Sequence, residues 1–183
     1  LLQAVGRRAG KAYGKDAEDD VSMRVVADHL RATTFLVSDG VLPGNEGRGY
    51  VLRKIMRRAM RHGKKLGVEG PFLSELTGDV VARMKAAYPE LAPHAETIAR
   101  VVSVEEERFG TTLKQAFAIF EEIARPLPAG AALPGTEVFR LYDTYGLPLD
   151  FTEGLARDRG LRVDAPGFER ELLAQQERAR QSS

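Results

Sequence analysis

The sequence predicts an all-α chain of several helices, one of them long, with a C-terminal helical subdomain. Three observations carry that expectation. Apolar residues recur at three- and four-residue spacing through most of the 183 positions, the period of a helix face. No segment sustains the two-residue alternation of a half-buried strand. Glycine and proline cluster at 40–49, 125–135 and 146–148 and punctuate the periodic segments.

Taken in order, residues 1–14 read as the tail of a helix weakened by Gly10 and Gly14. Asp16, Glu18, Asp19 and Asp20 form an acidic lead-in that suits the positive end of a helix dipole. From Ser22, the residues Met23, Val26, Ala27, Leu30 and Val37 share one helical face. Val25, Phe35 and Leu36 add apolar surface elsewhere, so this helix is expected to be buried on more than one side. Asp39-Gly40 ends it. Residues 41–49, Val-Leu-Pro-Gly-Asn-Glu-Gly-Arg-Gly, form a loop with unusual backbone freedom.

The helix expected over 50–65 is amphipathic. At about 100° per residue, Val51, Leu52, Ile55, Met56, Ala59 and Met60 fall in one half-circle, and Arg53, Lys54, Arg57, Arg58, Arg61, Lys64 and Lys65 in the other. Gly70-Pro71 opens another helix with Pro at its first position. A long helix follows over 93–124, and the acidic cluster Glu105, Glu106 and Glu107 within it is expected to be solvated. The proline-rich stretch 125–135 is the expected boundary between two subdomains, 1–124 and 125–183. Beyond it come a short helix around Val138 to Tyr142, one from Asp150 or Thr152 to Gly160, and a last one capped by Asp164.

Composition narrows the class. The chain is 43% hydrophobic and 29% charged, as ordinary soluble globular domains are. It has no cysteine, which excludes disulfide frameworks and thiolate zinc sites. No apolar run approaches the roughly 18 residues of a membrane span, so no membrane partner is expected. The first residue is leucine rather than methionine, which reads as an excerpt of a longer protein.

The net charge of +1 hides an asymmetry. Between Gly47 and Val68 stand eight basic residues and no acid, while the remainder carries 19 basic against 26 acidic residues. One cationic segment on an acidic body is an electrostatic footprint for a polyanion; a solvated helix face is the plainer alternative. Catalytic motifs are missing. There is no P-loop and no Gly-x-Ser-x-Gly, and His29, His62 and His94 lack ligand spacing, so neither a catalytic nor a metal-ligating set is assigned. Gly47-Arg48-Gly49 opens a helix whose first amides suit an anion. No strand precedes it, which favours contact with a nucleic-acid phosphate over a nucleotide cofactor.

Three separated stretches then resemble the bacterial alanyl-tRNA synthetase family: Val26-Ala27-Asp28-His29-Leu30-Arg31-Ala32 with Asp39 through Arg58; Phe139-Arg140-Leu141-Tyr142-Asp143-Thr144-Tyr145-Gly146-Leu147-Pro148-Leu149-Asp150; and Val163-Asp164-Ala165-Pro166-Gly167-Phe168-Glu169. They occur in the family's order across nearly the whole chain. Gly44 departs from the family, where serine is common.

The resemblance implies the helical tRNA-recognition region that follows the class II catalytic domain and precedes the editing domain. It implies a cytoplasmic parent ligase that joins alanine to its tRNA with ATP and Mg and holds zinc in the editing domain. No cofactor is expected in this segment, which should be catalytically silent. Its implied partners are the acceptor stem of alanine tRNA and the catalytic and editing domains of the same chain.

The family reads a G·U wobble pair, and Asn45 and Asp143 occupy its two recognition positions. A carboxylate accepts only, which suits the guanine 2-amino group that a wobble pair leaves unpaired in the shallow minor groove. Alone, Asp143 fits a turn or capping aspartate equally well and Asn45 fits a turn asparagine; the resemblance selects the recognition role. Arg48, Arg53, Lys54, Arg57, Arg58 and Arg61 are the backbone-binding residues, supplying affinity and register. The competing reading is a helical scaffold that binds an acidic protein through the basic helix. Recognition of one base pair further requires Asn45 and Asp143, about 100 residues apart, to face it together.

Overall fold

The computed structural model describes residues 1–181, and the chain is all-α apart from one pair of very short strands. The elements are α1 (Leu2–Ala9), α2 (Ala17–Ser38), α3 (Gly47–Lys65), α4 (Leu73–Met84), α5 (Leu91–Ala124), β1 (Ala132–Leu133), α6 (Gly135–Asp143), α7 (Leu149–Asp158), β2 (Arg162–Val163) and α8 (Ala165–Gln181). Two compact units divide inside α5, the first ending at Gly110 and the second beginning at Thr111. The proline-rich stretch 125–135 lies within the second unit.

In the first unit, Asp16 caps α2 by accepting hydrogen bonds from the backbone N–H groups of Glu18 and Asp19, each at 2.9 Å. Met23, Val26 and Leu30 of α2 are buried with Leu52, Met56 and Ala59 of α3. Most of the apolar half of the basic helix is therefore core, with Val51 the exception at 54% exposure; in its cationic half Lys54, Arg58, Lys64 and Lys65 are exposed, whereas Arg53, Arg57 and Arg61 are half-buried. The approach of α3 to the segment before α4 depends on Gly63. A Cβ there would lie 2.2 Å from the ring of Phe72, itself buried. That ring fills the place where any side chain on Gly63 would stand.

The structure departs from the sequence expectation at the fourth helix and at the acidic cluster of α5. The fourth helix begins at Leu73, with Phe72 as its N-cap, and Pro71 lies outside it. Glu105 and Glu106 are buried at 1% and 7% exposure; of the acidic trio only Glu107 is exposed. Glu105 is buried against Arg53 and Arg57, whereas the burial of Glu106 and the start of the helix share a cause. Phe72 is turned inward to meet Gly63, and the amides at the start of α4 need an acceptor that no local side chain provides. Glu106 supplies it from α5. Its Oε1 accepts from the N–H of Phe72 at 2.9 Å and of Leu73 at 2.7 Å, and its Oε2 accepts from the N–H and Oγ of Ser74 at 2.9 and 2.6 Å. A carboxylate at the positive end of α4 also complements the helix dipole.

The second unit is ordered around a parallel β1–β2 pair, with Ala132 opposite Arg162 and Leu133 opposite Val163. The pair departs from the strand-free expectation, because two residues are too few to carry a period. Each strand leads at once into a helix, β1 into α6 and β2 into α8. Leu133, Val138, Leu141, Leu147 and Ala156 are buried with Phe120 of α5. Among the described residues no helix is long and apolar enough to cross a membrane.

Candidate nucleic-acid interface

The loop before α3 is shaped by close backbone approach. The N–H of Gly44 donates to the carbonyl of Gly49 at 3.0 Å, and a Cβ on Gly49 would stand 2.5 Å from the carbonyl oxygen of Leu42. Gly47 takes φ 54°, a left-handed conformation that costs other residues energy. Together these fold residues 42–46 against the first turn of α3. A Cβ at Gly44 would meet nothing nearer than 3.8 Å, so a serine there fits the same loop.

Asn45 stands exposed on this loop. Its Oδ1 accepts a hydrogen bond from Nη1 of Arg53, in the second turn of α3. Arginine has donors only, so the amide oxygen is the end that Arg53 engages, and the Nδ2 donor end is turned away from it. Arg53 Nε is 3.4 Å from Oε1 of the buried Glu105, to which Arg57 Nε donates at 2.8 Å. Arg57 also lies over the ring of Phe109, 5.1 Å from its centroid, a favourable cation–π geometry. Glu105 thus draws two arginines of the cationic face inward and fixes their stems.

Outside this cluster, Arg48, Lys54 and Arg58 are exposed, as are Lys64 and Lys65. Lys54 Nζ lies 5.2 Å from the ring centroid of Tyr50, which is 44% exposed, next to Val51 at 54%. Arg61 is half-buried. His29, on α2, faces Arg58 and Arg61. Burial and those two cations hold its imidazole below the usual range, against the opposite pull of Asp28, whose Oδ2 is 3.3 Å from Nδ1 of His29. Among the described residues no three His, Asp or Glu side chains gather as a metal site requires.

Asp143, in the second unit, is exposed at the last position of α6. Its Oδ1 accepts from Nε2 of Gln175 on α8, a partner that sequence reasoning missed because nothing in the local pattern pairs residues 143 and 175. The turn after Asp143 is closed by Gly146 and Leu147, whose N–H groups donate to Tyr142 and Leu141 at 3.1 and 2.9 Å. Each recognition candidate is therefore exposed and held at one oxygen by a donor from its own unit: Asn45 by Arg53 and Asp143 by Gln175.

The arrangement resembles known proteins along the whole chain. The family model described as tRNA synthetases class II (A) matches residues 1–183. An alanine–tRNA ligase of Geobacillus thermodenitrificans (strain NG80-2) is 50% identical over 182 residues, covering 98% of this chain and 21% of that protein. One of Stenotrophomonas maltophilia (strain K279a) is 51% identical over 180 residues, covering 98% and 20%. One of Pseudomonas savastanoi pv. phaseolicola (strain 1448A / Race 6) is 49% identical over 183 residues, covering 100% and 21%. The chain spans about a fifth of the length of these relatives. A match of the family model from the first residue to the last establishes that this chain belongs to the class II (A) tRNA synthetases.

Proposed function

We propose that this chain is the part of an alanine–tRNA ligase that grips the tRNA acceptor stem and reads a G·U wobble pair in it. The observation that carries the reading is the face of α3, where exposed Arg48, Lys54 and Arg58 stand beside an exposed Asn45 whose amide is held by Arg53. Cations of this kind hold phosphates and set register. Arg61 joins them, and Arg53 and Arg57 contribute the guanidinium N–H groups that Glu105 leaves over. A side chain with a fixed hydrogen-bonding sense can then read a base edge. Asn45 would offer its Nδ2 donor to a uracil carbonyl, and Asp143 would accept from the guanine 2-amino group.

The chemistry of aminoacylation belongs, in this reading, to the rest of the parent. ATP and Mg would serve its catalytic domain and zinc its editing domain, and an ATP–pyrophosphate exchange assay on residues 1–183 alone is expected to read zero. The test of the interface is a mobility shift with an acceptor-stem minihelix at rising salt. The reading expects a complex that salt dissolves and that an acidic protein does not displace at equal charge. Capture of the acidic protein in place of the RNA would contradict it and favour a protein-binding scaffold.

A further inference from the structure

Asp143 occupies an unfavourable place for a carboxylate. It is the last residue of α6, at the negative end of the helix dipole, where cations rather than anions stabilise. Something other than helix stability has to hold it there in one orientation. The parallel strands supply the means. β1 and β2 pair in parallel, with Leu133 opposite Val163, and each feeds a helix that starts two residues later. The two helices then touch near their starts. A Cβ on Gly135 would lie 2.4 Å from the backbone of Gly167 and Phe168, so no side chain fits between them.

From that contact the helices stay in step. Tyr142 meets Phe168 edge to face at 5.4 Å between centroids. Eight residues beyond Gly135 stands Asp143, and eight residues beyond Gly167 stands Gln175, each about 12 Å along its helix at 1.5 Å per residue. The hydrogen bond from Gln175 Nε2 to Asp143 Oδ1 closes the pair. A carboxylate only accepts, so the amide must present its N–H, and Oδ2 is left for an incoming donor. Among the described residues no other hydrogen bond or ion pair is made by Asp143.

We infer that Gln175 is a positioning residue for base-pair discrimination: it anchors one oxygen of Asp143 from α8 so that the other points at the guanine amino group. The inference rests on the proposed role of Asp143. The choice of a neutral donor matters chemically. A lysine or arginine in its place would hold the carboxylate equally well but cancel the charge that makes it a strong acceptor. An amide orients the group and leaves its charge for the RNA.

The test uses the full-length protein and two acceptor-stem duplexes that differ only in G·U against G·C. Gln175→Met keeps the volume and removes the donor; Gln175→Ala serves as a second variant at this half-buried helical position. Either should lower the ratio of G·U to G·C affinity by about fivefold, the worth of one modest hydrogen bond, while affinity for the G·C duplex is unchanged. In an Asp143→Ala background the Gln175 substitutions should change nothing further, a non-additivity that a purely structural role would not produce. If Asp143→Ala lowers the ratio and both Gln175 variants leave it intact, the positioning role is overturned while the proposed function stands. If Asp143→Ala itself leaves the ratio intact, the reading beneath the inference is overturned.

Discussion

Arg53 donates through Nη1 to Oδ1 of Asn45 while its Nε lies 3.4 Å from Oε1 of the buried Glu105. An exposed loop residue is thereby tied to a carboxylate on α5 through a single arginine of the basic helix. The fixed sense of the Asn45 amide is a consequence, since an arginine can bind only its oxygen.

The first prediction follows from that tie. Arg53→Met should let the Asn45 amide rotate and lower the preference for G·U over G·C stems by about five- to tenfold, at the low end of one base contact. Stability should change little, because Arg57 still pairs with Glu105 at 2.8 Å. Competition binding with paired duplexes reads the preference, and a thermal melt reads the stability.

Glu106 is expected to matter for folding rather than for RNA. It satisfies three amides and one hydroxyl at the start of α4 from a buried position. Glu106→Ala should cost about 2–4 kcal/mol, the sum expected for a lost cap and buried amides left unpaired. Chemical denaturation of the variant against the parent measures it; an unchanged midpoint would contradict the capping role.

Salt separates affinity from specificity. Arg58 is exposed on the cationic face, and Arg58→Ala should weaken binding to G·U and G·C duplexes alike and reduce the slope of log affinity against log salt by about one. An unchanged slope would remove Arg58 from the phosphate contacts.

His29 gives the first unit a pH dependence whose sign can be worked out. Burial first, then the Arg58 charge, lower its pKa from 6.5 in the folded chain, and Asp28 only partly offsets them. As pH falls through 6.5, the unfolded chain takes the proton before the folded one does. Stability is therefore full above that pH and declines below it. His29→Gln should flatten the decline, as followed by denaturation at a series of pH values.

Much of this was legible in the sequence, and the reasons for the rest are physical. The amphipathic period of α3 separates Leu52 and Met56 from Lys54 and Arg58 because a surface helix has to divide its faces that way. Asp16 ahead of α2 and Asp164 ahead of α8 are local signals, each read within a few residues of the helix it starts. The burial of Glu105 and Glu106 is a tertiary fact. A Glu-Glu-Glu run reads as solvated until Arg57 and the α4 amides are placed against it. The β1–β2 pair is invisible because two residues show no alternation. With it went the register that brings Gln175 to Asp143. At the candidate interface the sequence offers Asn45 and Asp143 only as residue types, and the partners that hold them lie 8 and 32 positions away.

The affinity ratio of the full-length protein for G·U against G·C acceptor duplexes, measured for the parent, Asn45→Ala and Asp143→Ala, decides whether these two side chains read the base pair. With two contacts worth about 1–3 kcal/mol each, the parent ratio is expected to be about 30 or more, and each variant is expected to lose at least about fivefold of it with the fold retained. A ratio near one in the parent, or one unchanged in both variants, would remove Asn45 and Asp143 from base-pair recognition.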